Sequence, residues 1–181
     1  DSDDTWVAYS RSADGENWTE PMVLSASIQN GFCSAGGWWL NGDSLIAYIN
    51  NWSETNSTRN VYTTYVASKD GINWSDPEPV LMDDGDTLRG IFEQDPKALP
   101  DGRIINAAHF GPNLVCSPIY TDNTSGVRGW KRTIIENLKS NSDDKIRGIE
   151  PSWFLRGQGN FRLRGRRDKS ISTFNLRVLL A

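Results

Sequence analysis

A seven-residue motif, Ser-x-Asp-Gly-x-Asn-Trp, constrains the fold of this 181-residue chain more than any other feature. Intact copies occupy residues 12–18 and 68–74, and an altered copy without the Asp-Gly pair occupies residues 121–130. We refer to these segments as the first, second and third box. A fixed spacing between repeated motifs indicates a repeat protein. The boxes end in tryptophans that are 56 residues apart: Trp18, Trp74 and Trp130.

Each intact box has the chemistry of a tight turn between two strands. Asp-Gly is a strong hairpin signal, because glycine accepts a positive φ and the Asp carboxylate can accept hydrogen bonds from backbone amides two residues on. The Trp can fold back and cover the turn. Because these causes lie in the local backbone, we expect the box residues to hold the fold and not to carry out chemistry.

The boxes resemble the Asp box of the sialidase-like β-propellers, also called the bacterial neuraminidase repeat. The resemblance rests on Ser12, Asp14, Gly15, Asn17 and Trp18 and on the same residue types in the second box. It implies an all-β fold, the sialidase-like β-propeller of a six- or seven-bladed family. It also implies that the boxes lie away from any active site.

The segments between the boxes favour the same fold. Four short extended segments recur in each period, separated by turns such as those at residues 41–43 and 100–102. Four strands per unit is the pattern of a propeller blade. No stretch of ten or more residues shows an apolar stripe of helical period. The chain is therefore predicted to be all-β, with about three four-stranded blades.

Three blades are fewer than a closed propeller needs, since closed rings have about four to eight. Residues 1–181 are therefore predicted to form a partial propeller that enters the fold within a blade and has no signal peptide before Asp1. Open blade edges would favour self-association. Residues 160–181 are predicted to be an atypical basic C-terminal end, because they contain arginines where an apolar strand is expected and no further box.

Composition excludes several classes of function. The net charge of −4 gives no reason to expect nucleic acid or an anionic membrane as a partner. No apolar run approaches the roughly 20 residues that a membrane span needs. Cys33 and Cys116 are too few for a disulfide framework. One His and two distant Cys do not have metal-ligand spacing, so neither a metal nor a cofactor is predicted.

Two units share a Glu-x8-Gly-x6-(His or Arg) spacing, from Glu93 to His109 and from Glu150 to Arg166. This spacing resembles the sialidase segment in which a Glu on an inner strand precedes a Gly turn and a substrate-binding Arg. The resemblance implies that Glu93 or Glu150 activates a tyrosine nucleophile. It also implies that Arg166 binds the carboxylate of the sugar, and the adjacent Arg167 is a further binding candidate.

A second alignment of the same units adds two arginines. The segments Arg89-Gly90-Ile91 and Arg147-Gly148-Ile149 match each other in a register that differs by one residue. Arg89 and Arg147 are therefore also substrate-binding candidates. Asp95-Pro96 against Glu150-Pro151 gives a third register, and all three alignments stay open.

His109 is the single His of the chain and stands where a sialidase would have Arg in that unit. It ends an apolar strand and is expected at the mouth of the channel, where a neutral imidazole can act as a general acid or base. Related propellers include polysaccharide lyases that use His, Tyr and Arg. On that interpretation His109 or Tyr120 moves the C5 proton, and Arg89 or Arg166 neutralises the uronate carboxylate.

Three functions stay open from sequence. The first is a sialidase-like exo-glycosidase acting on acidic glycans, the second is a uronate polysaccharide lyase, and the third is a propeller that binds glycans without catalysis. The resemblance implies a secreted or periplasmic protein with a glycan or oligosaccharide as its partner. Because only part of a propeller is predicted, the chain alone is expected to have weak activity or none.

Overall fold

The computed structural model describes residues 5–26, 28, 31–55, 58–133, 152–156, 160–167 and 170–176. Within these residues every regular element is a β-strand, and all strand pairs are antiparallel. The all-β prediction is confirmed, and the strands form four sheets that follow one another along the chain.

The first two sheets comprise strands β1 to β6. The first sheet pairs β1 (Val7–Tyr9) with β2 (Met22–Ser25). The second sheet has the order β3-β4-β5-β6, which are Gly31–Asn41, Ser44–Thr55, Thr58–Ser68 and Glu78–Pro79.

The last two sheets comprise strands β7 to β14. The third sheet has the order β7-β9-β10-β11, with β8 also paired to β9; their bounds are Gly90–Phe92 (β7), Lys97–Ala98 (β8), Ile104–Phe110 (β9), Val115–Thr121 (β10) and Lys131–Arg132 (β11). The fourth sheet has the order β12-β13-β14, which are Ser152–Arg156, Asn160–Arg167 and Ser170–Leu176.

The second box is a turn held by the carboxylate of Asp70. One carboxylate oxygen accepts hydrogen bonds from the backbone amides of Ile72 and Asn73, both at 2.8 Å, and the other accepts from Asn73 Nδ2 at 2.7 Å. Gly71 has φ +66°, a conformation that favours glycine. Asp14 makes the same set of bonds in the first box.

The third box keeps the turn with a different acceptor. Asn123 stands two residues after Thr121, and its side-chain oxygen accepts from the Ser125 backbone amide at 3.0 Å. Trp130 Nε1 donates to the Gly126 carbonyl at 2.9 Å. An amide oxygen therefore occupies the place that a carboxylate holds in the other two boxes.

Two apolar cores lie between successive sheets. One joins the first and second sheets through residues that include Val7, Ile49 and Val66. The other joins the second and third sheets, where the Phe92 ring meets Tyr48 at 5.0 Å and Trp130 at 5.5 Å between ring centroids. Trp130 of the third box is thus fully buried beneath the second sheet.

In the second and third sheets the first strand, β3 or β7, is the one that lines the central channel of a β-propeller. In the first sheet, β1 directly precedes a box, as β5 and β10 do, and so corresponds to a third strand. Each sheet then has two ends. We call the end with the boxes the box end, and the opposite end, which carries the Gly111–Leu114 loop of the third sheet, the loop end.

Candidate functional site

His109 lies in β9, one strand away from the channel-lining strand β7. It pairs in register with Ile91 on one side and Cys116 on the other. It is buried, with 4% of its surface exposed. Burial lowers the pKa of the imidazole, and a hydrogen bond to the Leu114 backbone opposes this shift without reversing it. The ring is therefore neutral near pH 7.

The second ring nitrogen of His109 carries the chemical interest. Nε2 is buried and has no hydrogen-bond partner among the residues that the structure describes. Because the other nitrogen donates to the Leu114 backbone, Nε2 carries a lone pair. It can accept a hydrogen bond or a proton.

Glu93 follows directly after β7 and is exposed. Burial first, and then the Glu93 carboxylate, raise the pKa of the Cys116 thiol to about 12. In the ladder, Glu93 follows Phe92, which pairs with Ala108, and so stands two residues beyond Ile91, the partner of His109. The thiol stays protonated at neutral pH and is not a nucleophile.

Arg89 lies immediately before β7 and is exposed. Its backbone carbonyl accepts from the Gly111 amide at 3.0 Å, which extends the ladder between β7 and β9 to the loop end. Arg89 and Glu93 therefore lie at the two opposite ends of the three-residue strand β7, and His109 lies on the adjacent strand β9.

Tyr120 is not part of this group. It lies in β10, two strands and thus about 10 Å from β7. Its ring lies between two cations, with Arg103 at 5.7 Å and Lys131 at 5.6 Å from the ring centroid. The structure does not bring Tyr120 to Glu93.

The remaining candidates lie in the last part of the chain. Arg147 and Glu150 lie outside the described residues. Arg166 and Arg167 belong to β13, where they pair with Ile171 and Ser170 of β14. Their predicted roles stay predictions.

A pair of polar side chains that the sequence reasoning missed joins the second and third sheets. Asn50 Nδ2 donates to the Phe92 carbonyl at 2.6 Å, and the Phe92 amide donates to Asn50 Oδ1 at 2.9 Å. Thr63 Oγ1 donates to the Gly90 carbonyl at 2.8 Å. Both side chains are buried, and we call them the inter-sheet clamp. No local pattern points to them, because their partners are 27 and 42 residues away.

The position of the clamp in the second sheet can be counted in strand pairs from the box. The first residue of the second box, Ser68, pairs with Leu45. Five rungs of the ladder further towards the loop end, Asn50 pairs with Thr63.

The same count in the third sheet leads to His109. The first residue of the third box, Thr121, pairs with Ile104, and five rungs on, His109 pairs with Cys116. His109 thus occupies in the third sheet the position that Asn50 holds in the second. At this position, Nε2 can accept a hydrogen bond from a backbone amide of another sheet, which would be a structural role.

The described residues hold no group of three or more His, Cys, Asp or Glu side chains that could bind a metal ion. The predicted absence of a metal or cofactor stays a prediction. Across the same described ranges, no helix has the length and apolar character needed to cross a membrane.

Comparison with known proteins places this geometry in a family. No curated protein matches the chain in sequence. One solved structure with 13% identity and a TM-score of 0.49 covers 75% of this chain and 42% of its own length. It is described with the words "The GH130 family of mannoside phosphorylases contains glycoside hydrolases that target beta-1,2 mannosidic linkages in Candida mannan". The chain thus spans less than half of that protein.

The family model for the BNR repeat-like domain matches residues 1–177. This match covers all three boxes and all four sheets. The sialidase-like β-propeller predicted from the boxes is confirmed as the fold class. The chain belongs to the BNR repeat-like domain family.

Proposed function

We propose that this chain is part of a carbohydrate-active β-propeller that acts as a sialidase-like exo-glycosidase on acidic glycans. Membership of the BNR repeat-like family supports a carbohydrate as the ligand. One observation carries the proposal. Arg89 and Glu93 are both exposed, and they lie at the two ends of the channel-lining strand β7.

The two side chains have complementary roles. The guanidinium of Arg89 binds the carboxylate of the sugar, because a planar fork of N–H donors fits a carboxylate. The carboxylate of Glu93 activates the nucleophile that attacks the anomeric carbon; sialidases use a Tyr in this role. Tyr120 is two strands away from β7, so it does not supply that nucleophile in our proposal.

A uronate lyase is the second candidate, and His109 favours it. A neutral imidazole with a lone pair at Nε2 has the chemistry for removal of the C5 proton. Because Nε2 is buried among the described residues, this role requires the sugar to reach it from the side of the sheet that faces away from the second sheet. Arg89 then neutralises the uronate carboxylate, the bond to the leaving oxygen breaks, and a double bond forms between C4 and C5. The product absorbs ultraviolet light, whereas hydrolysis releases a reducing sugar without new absorbance.

The first test is binding, because the chain alone is predicted to turn over slowly or not at all. Isothermal titration calorimetry would compare 3′-sialyllactose, trigalacturonate and lactose. We expect Arg89→Ala to weaken binding of an acidic ligand about tenfold, which corresponds to one charge-assisted pair. Arg128→Ala is the matched control, since Arg128 is exposed in the third box at the box end, and it should change nothing.

Turnover separates the two chemistries. Reducing sugar without absorbance supports the hydrolase, and absorbance supports the lyase. Glu93→Gln should abolish hydrolysis and keep binding, whereas His109→Gln should abolish elimination. Equal affinity for lactose and 3′-sialyllactose, unchanged by Arg89→Ala, would contradict the acidic-glycan proposal. Acid-selective binding with no turnover under any condition would support a glycan-binding propeller.

The other expectations stay proposals of the same kind. A partial propeller over residues 1–181, an atypical end at residues 160–181, and a secreted or periplasmic location follow from the family resemblance alone. Strong turnover by the isolated chain would contradict the prediction that half a propeller is weakly active.

A further inference from the structure

Two aromatic rings lie stacked at the loop end of the second sheet. Phe32 of β3 and Trp52 of β4 pair in register, with ring centroids 5.4 Å apart and ring planes within 13° of parallel. Trp52 Nε1 donates to Ser34 Oγ at 3.3 Å, which fixes the indole. Phe32 is nevertheless 44% exposed. The pair is thus a flat and accessible aromatic surface, with Phe32 on the channel-lining strand β3 and Trp52 on its neighbour β4.

The rings face the third sheet. Side chains two residues apart on a strand share a face, so Trp52 lies on the same face as Asn50. Asn50 holds the backbone of Phe92 in the third sheet. Phe32 and Trp52 therefore lie at the open end of the crevice whose floor is the inter-sheet clamp.

The other side of the crevice is the backbone of the third sheet. A Cβ at Gly111 would lie 3.0 Å from Val61 Cγ2, so the two sheets meet closely here. Val61 is the cross-strand partner of Trp52. The carbonyls of Arg59 and Arg89 lie 3.7 and 3.9 Å from the same point. The backbones of Arg59 and Arg89 thus meet at this contact, both residues are exposed, and among the described residues neither forms a salt bridge.

The ladder places one of these arginines at the height of the rings. Phe32 and Trp52 lie two rungs beyond the clamp. In the third sheet, Arg89 lies two residues before Ile91, the partner of His109, and thus at the equivalent rung. The Arg89 end of β7 lies against β5, because the Gly90 carbonyl accepts from Thr63 Oγ1. Trp52 is the cross-strand neighbour of Val61 on β5, so the platform approaches Arg89 through Trp52.

We infer that Phe32 and Trp52 form a platform on which the apolar face of one pyranose ring of the glycan stacks, next to the Arg89 subsite. The inference rests on the proposed function, because it supplies a neighbouring subsite for the same ligand. An aromatic ring offers apolar area to the C–H face of a sugar, whereas the hydroxyl groups stay at the edge in water. The nearby guanidinium groups suit a glycan that also contains an acidic sugar.

The test uses the full chain and calorimetric titration of 3′-sialyllactose and lactose. Phe32→Ala removes the exposed ring and should weaken binding of both ligands about three- to tenfold, the effect of one aromatic contact. Phe32→Tyr keeps the ring and should restore binding. Trp18→Ala is the matched control, because Trp18 is an exposed aromatic residue in the first box, and it should have no effect.

The outcomes separate this inference from the proposed function. If Arg89→Ala weakens binding of 3′-sialyllactose and Phe32→Ala does not, the platform is wrong and the acidic-glycan function stands. If Phe32→Ala weakens binding of lactose and the acidic ligand has no advantage, the platform stands and the acidic-glycan function is wrong. Absence of binding for both ligands would overturn both. An unchanged thermal unfolding midpoint for Phe32→Ala shows that the variant folds.

Discussion

At the scale of single residues, the box carboxylates are tuned by the hydrogen bonds that they accept. The backbone amide of Asn73 is the largest of several donors that hold the pKa of Asp70 well below its usual range. In the first box, the pKa of Asp14 is also lowered, and the largest cause is the hydrogen bond from the Asn17 side chain. A carboxylate that accepts several N–H bonds favours its charged form. Each of the two intact boxes is therefore more stable when its Asp is ionised.

The sign of the pH dependence follows from the direction of this shift. Because the folded pKa of Asp70 lies below the unfolded value of about 3.9, its contribution to stability is complete above that pH and is lost as the pH falls through the folded value. We predict that Asp70→Asn lowers the unfolding midpoint at pH 7. The difference in unfolding midpoint between the wild type and Asp70→Asn should become smaller as the pH falls below about 4.

Thermal unfolding followed by circular dichroism between pH 7 and pH 2 would check this. Asp76→Asn is a suitable control, since Asp76 lies two residues after the box and its carboxylate is not among the groups that hold the turn. A gap between wild type and Asp70→Asn that is the same at every pH would show that the charge of Asp70 does not matter to the turn.

At the scale of elements, the inter-sheet clamp joins two sheets through one buried amide. The side chain of Asn50 donates to the Phe92 carbonyl and accepts from the Phe92 amide. It thus makes the two hydrogen bonds that a neighbouring strand would otherwise make. Loss of either bond leaves a buried backbone group without a partner, which costs about 1–3 kcal/mol. The clamp thus fixes β7, and with it the position of Glu93 and Arg89.

We predict that Asn50→Ala lowers the free energy of unfolding by about 2–4 kcal/mol, because it leaves both backbone groups of Phe92 unsatisfied. Hydrogen exchange at the Phe92 amide should accelerate. Asn51→Ala is the matched control: Asn51 is also buried, but its side chain bonds only within the second sheet, to Ile49, Tyr62 and Thr64. Equal acceleration at Phe92 in both variants would contradict a specific role for Asn50.

The sequence predicts the turns of this fold better than the alignment of its sheets. Turn chemistry is local, so the Asp-Gly pairs and the box tryptophans are enough to indicate it. The spacing of 56 residues, however, equates Asn50 with Asn106. The ladder equates Asn50 with His109, because the third box is longer, from Thr121 to Trp130. Pairing across strands decides such positions, and it has no local signal.

The same limit applies to the candidate site. Arg89, Glu93 and His109 are candidates by residue type and by their places beside or near the end of a strand, and their roles stay predictions. Phe32 and Trp52 are 20 residues apart and meet only through the register of β3 and β4. Tyr120 has the right chemistry for a nucleophile, yet its strand lies too far from the channel. Residue type is visible in the sequence, whereas strand order is not.

At the scale of the whole molecule, coverage of the box tryptophans increases along the chain. Trp18 is 63% exposed, Trp74 is half-buried against Tyr9 and Trp38, and Trp130 is fully buried. Trp130 is covered by the second sheet, and Trp74 by the first. Within the described residues, no sheet covers Trp18. The first sheet therefore presents an apolar surface with the edge of a two-stranded ribbon.

We predict that the chain self-associates through this surface. Light scattering should give a mass that rises with protein concentration, and Val23→Lys should shift the protein towards the monomer, because a charge on an exposed strand opposes edge pairing. Ile72→Lys is the matched control, since Ile72 is an exposed aliphatic residue in the second box. A mass that is independent of concentration, or equal effects of the two lysines, would contradict the prediction.

The unequal coverage of the tryptophans also has an optical consequence. An indole in water emits at longer wavelength and is open to collision with a soluble quencher, whereas a sealed indole emits further to the blue and is shielded. Trp18 belongs to the first kind and Trp130 to the second. Acrylamide should therefore remove the red side of the emission band and leave the blue side. A partner that covers the first sheet should shift the red component to the blue, so its binding can be followed without a label.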